Sequence, residues 1–275
     1  MKTLDDPAIE NQFPEALRRL TINRFETAAL GMTLLDQQAL GDGADSGLHG
    51  RAAAILHGRE MAQAESYRLS KRRAEFLAGR VSAKLALAQF WAAKGFCRAL
   101  SSVQIVNDPT GRPFIRMEPV PGDKIRQPPE ISISHGGGYG AALAADVPCG
   151  IDLQEQRHTL LKVMGKYCMV EEDHILAAAL PKMAPPARLS LLWTAKEAAK
   201  KACSSRWMPG FLDLLLEGFE CQEGDCLVLE LRLARRPEDC RLPAALTVLA
   251  TTFHNHGLAV CIINEARRNA GTAGS

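Results

Sequence analysis

The sequence predicts an α+β protein composed of two similar halves. A helical stretch followed by strands occurs twice along the 275 residues, although no repeat is evident in the sequence itself. The turn signal Asp146-Val-Pro-Cys separates the two series. We therefore expect an N-terminal half over residues 20–145, a C-terminal half over residues 146–265 and a disordered tail over residues 266–275.

The helical part of the N-terminal half is predicted from about Arg59 to Trp91, a stretch rich in alanine, leucine and charge that contains no proline. Its apolar residues at positions 76, 77, 81, 85 and 87 form one buried stripe. Strands follow, separated by the turn signal Asn107-Asp-Pro-Thr-Gly and by a proline-rich loop. Their predicted ranges are 103–106, 114–117, 131–134 and 141–145.

The C-terminal half begins with an apolar strand at Gly150-Ile-Asp-Leu. Helices are predicted over residues 159–180 and 186–203, and the second has a proline pair near its first turn. The rest of this half is predicted as strands over residues 226–231, 245–250 and 258–263.

Composition indicates a globular protein in a reducing compartment. Hydrophobic residues make up 47% of the chain and charged residues 23%, which is ordinary for a soluble domain. The eight cysteines include no CxxC pair, and neither a membrane-spanning run nor a signal peptide is predicted, so we expect a cytoplasmic protein. A net charge of +2 is too small to indicate nucleic acid. A local basic cluster nevertheless suits an anionic small molecule or an acidic partner: Arg68, Lys71, Arg72, Arg73, Arg80 and Lys84.

Two short segments contain the charged residues that predict chemistry. In a strand, Asp152 and Gln154 share one face, because side chains alternate. In a helix, Glu197 and Lys201 lie one turn apart on the same face. Each segment alone is better explained as a solvent-facing strand end or a salt-bridged surface helix. Together, two carboxylates and a lysine suit a hard cation on a phosphorylated substrate.

Two further residues have side chains suited to phosphate. His135 follows a predicted strand and precedes three glycines, which would let a ligand approach closely, although a structural histidine is the plainer explanation. Arg112 stands between glycine and proline, either as a turn residue or as a rigidly held phosphate ligand. The His-Gly-Gly-Gly run also resembles the oxyanion-hole loop of some esterases, but the G-x-S-x-G motif of those enzymes is absent.

Taken together, these segments resemble the 4′-phosphopantetheinyl transferases of the surfactin and enterobactin-synthetase type. Five motifs occur in the order of that family over residues 59–205, and each falls on a suitable helix, strand or turn. They are Arg72-Arg-x-Glu-Phe-Leu-Ala-Gly-Arg80, Gly111-Arg-Pro113, Ile131-Ser-Ile-Ser-His135, Gly150-Ile-Asp152 and Trp193-x-x-Lys-Glu-Ala-x-x-Lys201. Many members carry a third carboxylate two residues after the aspartate, where this chain has Gln154.

The resemblance implies the 4′-phosphopantetheinyl transferase fold, two pseudo-symmetric α+β halves with the active site between them. It implies Mg²⁺-dependent transfer of the 4′-phosphopantetheine group from coenzyme A to a serine of an acyl or peptidyl carrier protein, releasing adenosine 3′,5′-bisphosphate. Asp152, Glu197 and Lys201 would be catalytic, with Glu197 as the base for the serine hydroxyl. Asp152 and Glu197 would bind the metal, and Gln154 would be an uncharged third ligand. The phosphates of coenzyme A would be bound by Arg73, Arg80, Arg112, Ser134, His135 and Lys201.

The expected protein partner is an acidic carrier protein, steered by the basic residues of the enzyme, and neither nucleic acid nor a membrane is expected. We expect a monomer, because the two halves of one chain would complete the site. An alternative is a degenerate relative that binds coenzyme A or a carrier protein without transfer, and Gln154 is its only sign in the sequence. An esterase is a still weaker alternative.

Overall fold

The computed structural model describes residues 9–27, 29–38, 47–118, 127–237 and 240–264. The tail predicted over residues 266–275 lies outside the described residues. The chain divides into two compact units, which we call the first unit (Met1–Arg18 and Ala28–Asp146) and the second unit (Arg19–Thr27 and Val147–Ser275). Both contain helices and β-sheet, so the predicted α+β class is confirmed.

The first unit packs one long helix against a small antiparallel sheet. Its elements are β1 (Leu30–Asp36), α2 (Gly47–Ile55), α3 (Gly58–Ser66), α4 (Ser70–Ala93), β2 (Val103–Asn107), β3 (Pro113–Met117), β4 (Glu130–Gly136) and β5 (Tyr139–Ala145), and α1 (Glu15–Phe25) contains residues of both units. The sheet has the strand order β1-β5-β4, and β2 and β3 form a separate ribbon. Helix α4 buries Leu87, Phe90 and Trp91 in a core shared with the small residues of β5.

The second unit repeats this plan with a larger sheet. Its elements are β6 (Cys149–Glu155), α5 (Thr159–Lys162), α6 (Val170–Ala179), α7 (Pro185–Cys203), β7 (Leu214–Cys221), β8 (Leu227–Leu233), β9 (Ala245–Phe253) and β10 (His256–Ile262). The antiparallel sheet has the order β6-β10-β9-β8-β7. Helix α7 packs on it through buried residues that include Leu191, Ala195 and Ala198.

The structure differs from the sequence-based expectation in its helix boundaries and in two strands. The helix predicted from Arg59 is interrupted, because the backbone is extended at Tyr67 between α3 and α4. The helix predicted over residues 159–180 is likewise divided into α5 and α6. The sequence pattern predicts neither β1 nor β7. Five consecutive residues of β1 are buried, so this strand lacks the alternation that identifies a half-exposed strand.

Glycines bring each long helix unusually close to its sheet. A Cβ atom at any of four positions would overlap the backbone of the facing helix, so only glycine fits there. The contacts are Gly31 with Ala86 and Gly140 with Ala78 in the first unit, and Gly150 with Ala198 and Gly257 with Ser190 in the second. The same close approach therefore occurs at two points along each helix.

A buried ion pair fixes the long helix of the first unit to its neighbours. Lys84 on α4 and Glu60 on α3 are almost fully buried, and their charged atoms lie 3.0 Å apart. Glu60 also accepts hydrogen bonds from the backbone N–H of His57, at the start of α3, and of Ile105 in β2. Burial lowers the pKa of the Lys84 ammonium, while the Glu60 carboxylate opposes that effect.

The second unit contains an equivalent pair. Lys196 on α7 lies 2.8 Å from the carboxylate of Glu172 on α6, and both side chains are buried. Glu172 accepts hydrogen bonds from the backbone N–H of Met169, at the start of α6, and of Leu216 in β7. Burial lowers the pKa of Lys196, and Glu172 opposes that effect. The two buried charges are tolerated because Lys196 and Glu172 neutralise each other and the carboxylate also accepts two backbone hydrogen bonds.

The two units are related by a constant offset along these helices. Glu172 and Lys196 each follow their counterparts by 112 positions (172 against 60, and 196 against 84). The helix positions that face the glycines, 190 and 198 against 78 and 86, keep the same offset. The framework of helix, facing glycines and buried ion pair is therefore present twice in the chain.

All eight cysteines fall within the described residues, and each is a free thiol. Cys97 and Cys221 are exposed, and the others are buried or half-buried. In the part of the chain that the structure describes, no helix has the length and apolar character needed to cross a bilayer.

Candidate active site

Asp152 and Lys201 are in direct contact in the second unit. Asp152 lies on β6, and only 7% of its surface is exposed. The Nζ atom of Lys201, near the end of α7, donates a hydrogen bond of 2.7 Å to Oδ1 of Asp152 and one of 2.9 Å to the carbonyl oxygen of Ile151. A carboxylate taken out of water is thus matched by a lysine from the neighbouring helix.

Glu197 lies one turn before Lys201 on α7. Its Oε1 atom accepts a hydrogen bond of 2.9 Å from Lys200, and its side chain is 23% exposed. Gln154, two residues after Asp152, donates its side-chain amide to the carbonyl oxygen of Glu155. The site therefore has two carboxylates, each paired with its own lysine.

Oxygen donors of this kind suit Mg²⁺. Asp152 and Glu197 provide carboxylate oxygens, and Gln154 has an amide oxygen that could serve as a neutral ligand. Among the described residues, no three histidine, cysteine or acidic side chains lie together as a metal site. An ion bound here would complete its shell with substrate oxygens and water, which is the usual arrangement for Mg²⁺ on a phosphorylated substrate.

Comparison of the two units shows which of these residues belong to the shared fold and which do not. Applying the helix offset, and matching the strands through Gly31 and Gly150, gives the first-unit counterparts of Asp152, Glu197 and Lys201 as Thr33, Leu85 and Gln89. The hydrogen bonds support this match, because Gln89 accepts from the N–H of Met32 where Lys201 donates to the carbonyl of Ile151. The charges at these three positions occur only in the second unit, so the shared fold does not require them.

A pocket of about 240 Å³ opens in the first unit. It is lined by residues of α3, α4, the β2–β3 turn and β4, namely Gln63, Tyr67, Arg72, Phe76, Gly79, Arg80, Asn107, Gly111, Pro113, Ile133 and His135. Two arginines, a histidine and two aromatic rings therefore surround one cavity. Guanidinium groups and aromatic faces are suited to phosphate and to a planar base, respectively.

Arg80 is the most enclosed charge of this pocket. Its guanidinium donates a 2.8 Å hydrogen bond to Oδ1 of Asn107 and lies 5.0 Å from the centre of the Phe76 ring. Burial lowers the pKa of Arg80, and the nearby Glu60 and Tyr67 oppose that effect. Arginine stays protonated in such surroundings, so the pocket retains a fixed positive charge.

Comparison with known proteins gives a match over the second unit. Residues 148–261 match the sequence model of the 4′-phosphopantetheinyl transferase superfamily. This match covers less than half of the chain. The match confirms the predicted reaction, which is transfer of phosphopantetheine from coenzyme A to a carrier protein. No curated protein sequence matches the chain.

Solved structures similar to the chain include three holo-acyl-carrier-protein synthases. A complex with coenzyme A from Bacillus anthracis is 20% identical, with a TM-score of 0.33, over 42% of this chain and 93% of that protein. The Thermotoga maritima synthase is 18% identical, with a TM-score of 0.32, over 49% and 73% of the two chains. The Plasmodium yoelii synthase is 18% identical, with a TM-score of 0.34, over 43% and 92%. These scores are too low to transfer the roles of individual residues.

The residues predicted to bind phosphate lie in different surroundings. Arg80 and His135 line the first-unit pocket. Ser134 is buried on β4, and Arg112 forms an ion pair with Glu130. Arg73 lies outside the pocket lining, and its guanidinium donates to the carbonyl oxygen of Tyr67.

Sequence reasoning omits Arg72 from the site, although the spacing contains the necessary information. Arg72, Phe76 and Arg80 stand at i, i+4 and i+8, which places them on one face of α4, whereas Arg73 is rotated away from that face. Arg72 lies 5.9 Å from the centre of the Tyr67 ring, within the pocket lining. Tyr67 and Asn107 have no comparable sequence signal, because they approach α4 from other elements.

Proposed function

We propose that the chain is a Mg²⁺-dependent phosphopantetheinyl transferase of the surfactin and enterobactin-synthetase type that modifies acyl or peptidyl carrier proteins. The observation that carries the proposal is the group of charges at Asp152, Glu197 and Lys201, which the second unit adds to a framework also present in the first. The five motifs in family order, three of them in the first unit, support the surfactin and enterobactin-synthetase type.

Each of these residues has a distinct role in the proposed reaction. The serine oxygen of the carrier forms a bond to the phosphorus that bears the pantetheine arm, and the bond from that phosphorus to the adenosine bisphosphate breaks. Glu197 accepts the proton of the serine hydroxyl. Lys201 donates hydrogen bonds to the pyrophosphate oxygens, where negative charge accumulates. Asp152 and Glu197, with Gln154, would hold Mg²⁺, which when bound neutralises charge on the pyrophosphate.

The first-unit pocket would bind the nucleotide portion of coenzyme A. Arg80 and Arg72 supply guanidinium groups for its phosphates, and His135 supplies an imidazole donor. The aromatic rings of Tyr67 and Phe76 would contact the base. Arg73, Arg112 and Ser134 are proposed to contribute from outside the lining of this pocket.

The remaining features of the proposal concern partners and location. The basic residues of α4 would attract an acidic carrier protein, and mutual steering of this kind raises the association rate. We also propose that the enzyme acts as a monomer in the cytoplasm.

Intact-mass spectrometry of an apo carrier protein tests the function. Incubation with coenzyme A, Mg²⁺ and the enzyme should add one phosphopantetheine arm, and chelating the metal should prevent the addition. Glu197→Gln should lower the rate by at least about 100-fold, because the base is lost and the charge of one metal ligand is removed at the same time. Arg232→Ala, which removes an exposed ion pair with Glu217, is the matched control and should transfer at the wild-type rate.

The same assay addresses the degenerate alternative, for which the uncharged Gln154 is the one favourable observation. Binding of coenzyme A without transfer to either acyl or peptidyl carriers would contradict the proposed function and support that alternative.

A further inference from the structure

Lys200 is the immediate partner of the proposed base. Its Nζ atom lies 2.9 Å from Oε1 of Glu197, and its side chain is only 16% exposed. The two residues are three positions apart on α7, so the pair is formed within one helical turn. Most pairs of this spacing are flexible because both side chains are in water, whereas here both are partly buried.

A second contact fixes the lysine. Its Nζ atom lies 3.9 Å from the centre of the Phe211 ring, which is a close cation–π distance. The ammonium is therefore held between a carboxylate and an aromatic face. Such a side chain has few other positions to occupy, and the carboxylate that it contacts is restricted in turn.

The aromatic ring is itself immobilised by its neighbours. The Phe211 ring lies 4.6 Å from Trp193, whose ring contacts that of Tyr167 at 4.9 Å. Phe211 begins a short 3₁₀ turn, and the carboxylate of Asp213 accepts a 3.0 Å hydrogen bond from the N–H of Gly210. The rings thus connect the position of Glu197 to the packed interior of the second unit.

The matching positions of the first unit, which the structure describes, do not have this arrangement. The helix offset places Ala88 opposite Lys200 and Val81 opposite Trp193. The lysine and the tryptophan therefore occur in the second unit together with Glu197, and neither is needed for the helix-on-sheet framework that both units share. An addition confined to the unit with the proposed active site points to a role in that site.

We propose that Lys200 is a positioning residue, which holds the Glu197 carboxylate in the orientation needed to take the serine proton and which is itself held by the Phe211 ring. This inference rests on the proposed function. Proton transfer requires the base within hydrogen-bond reach of the hydroxyl, so a carboxylate that samples several rotamers spends less time in the productive one. The ion pair also offsets the repulsion between the two carboxylates of the site, as Lys201 does for Asp152.

Steady-state kinetics of four variants test the role. Lys200→Ala should lower kcat about tenfold and leave KM for coenzyme A within about twofold, because the base is misplaced while the nucleotide pocket is intact. Lys200→Arg keeps the cation and its stacking on the ring, so its kcat should be within about threefold of wild type. Phe211→Leu should lower kcat by less than Lys200→Ala does. The double variant Lys200→Ala/Phe211→Leu should have nearly the kcat of Lys200→Ala, since the ring acts through the lysine. Arg232→Ala is again the control.

A measurement without metal or substrate tests the geometry separately. In the metal-free protein labelled with ¹³C-lysine, the Hε resonance of Lys200 should be shifted upfield by the ring current of Phe211, and the signal is assigned by its absence in Lys200→Ala. Phe211→Leu should return it to the ordinary position. An unshifted Lys200 signal in the wild-type protein would overturn the proposed placement.

The kinetic outcomes also distinguish the two proposals. An inactive wild-type enzyme would defeat the proposed function, whereas an active wild-type enzyme with an equally active Lys200→Ala variant would defeat only this inference. An arginine variant as slow as the alanine variant would likewise overturn it, because positioning by the ion pair would then not be the cause. Melting temperatures within about 2 °C of wild type for all variants exclude unfolding as the reason for a slower rate.

Discussion

Two glutamates of the second unit show how the surroundings of a side chain decide what it can do. Glu172 is 2% exposed and accepts hydrogen bonds from the Lys196 ammonium and from two backbone N–H groups. Glu197 is 23% exposed, and its side chain accepts a hydrogen bond from Lys200. The first carboxylate is fully committed to the fold, whereas the second has accepting capacity left for a metal ion or a proton. The burial of Glu172 has no sign in the sequence, because its partner Lys196 reaches it only through tertiary packing.

His256 provides a pH test of a single buried group. It is 4% exposed on β10, and burial lowers the pKa of its imidazole, with the neighbouring Glu155 opposing that effect. Below about pH 6.5 the unfolded chain binds a proton that the folded chain resists. The free energy of unfolding should therefore fall as the pH decreases, by up to about 1.4 kcal/mol per unit, until the lowered pKa is reached.

Urea denaturation between pH 7.5 and 5.0 measures this slope. His256→Gln should flatten it, whereas the control His158→Gln, at an exposed position, should leave it unchanged. Equal slopes in wild type and His256→Gln would show that another group is responsible.

The secondary structure elements differ in how far the sequence predicts them. Helices α4 and α7 are predicted nearly in full, because each is a long stretch rich in alanine and leucine with no proline beyond its first turn. Strand β7 has no such pattern, and its register shifts between Leu216 and Gly218. No proline or glycine marks the break at Tyr67, so the sequence does not predict it. Tertiary contacts of α3 and α4 decide where the helix ends.

Gly150 tests whether the close approach of α7 to β6 positions the site. A Cβ at this residue would overlap the carbonyl oxygen of Ala198, directly after Glu197, so Gly150→Ala must displace the helix or the strand. We expect a loss of about 1–3 kcal/mol in the free energy of unfolding and a large decrease in transfer rate, because Asp152 and Lys201 then no longer meet.

Gly165→Ala is the matched control, since a Cβ there would contact nothing within 4 Å. It should leave both stability and transfer near the wild-type values. Thermal unfolding and the carrier mass assay report the two quantities, and a fully active Gly150→Ala enzyme would contradict the positioning role of this contact.

Across the whole chain, the two units resemble each other in their internal contacts, whereas their sequences show no visible repeat. What the two units share is a set of small residues facing a helix and one buried ion pair, and these positions are too few to appear as a repeat. The charges of the candidate site can be recognised in the sequence, because the carboxylates and the lysine fall at strand and helix spacings. The Lys200–Phe211 contact cannot, because Phe211 follows the helix and reaches the lysine only through tertiary packing.

The two buried ion pairs should matter equally for stability, because each joins the long helix of its unit to a helix cap and a strand. Lys84→Met and Lys196→Met each leave a buried carboxylate without its cation, and we expect each to lower the free energy of unfolding by about 3–5 kcal/mol. The pair of Lys71 with Glu75 is the control, because the Lys71 side chain is exposed, and Lys71→Ala should change stability by less than about 1 kcal/mol. The two lysine losses should add in the double variant, since the pairs share no partner. Urea denaturation gives these values, and a loss below about 1 kcal/mol at either lysine would mean that its carboxylate is satisfied by the backbone N–H groups alone.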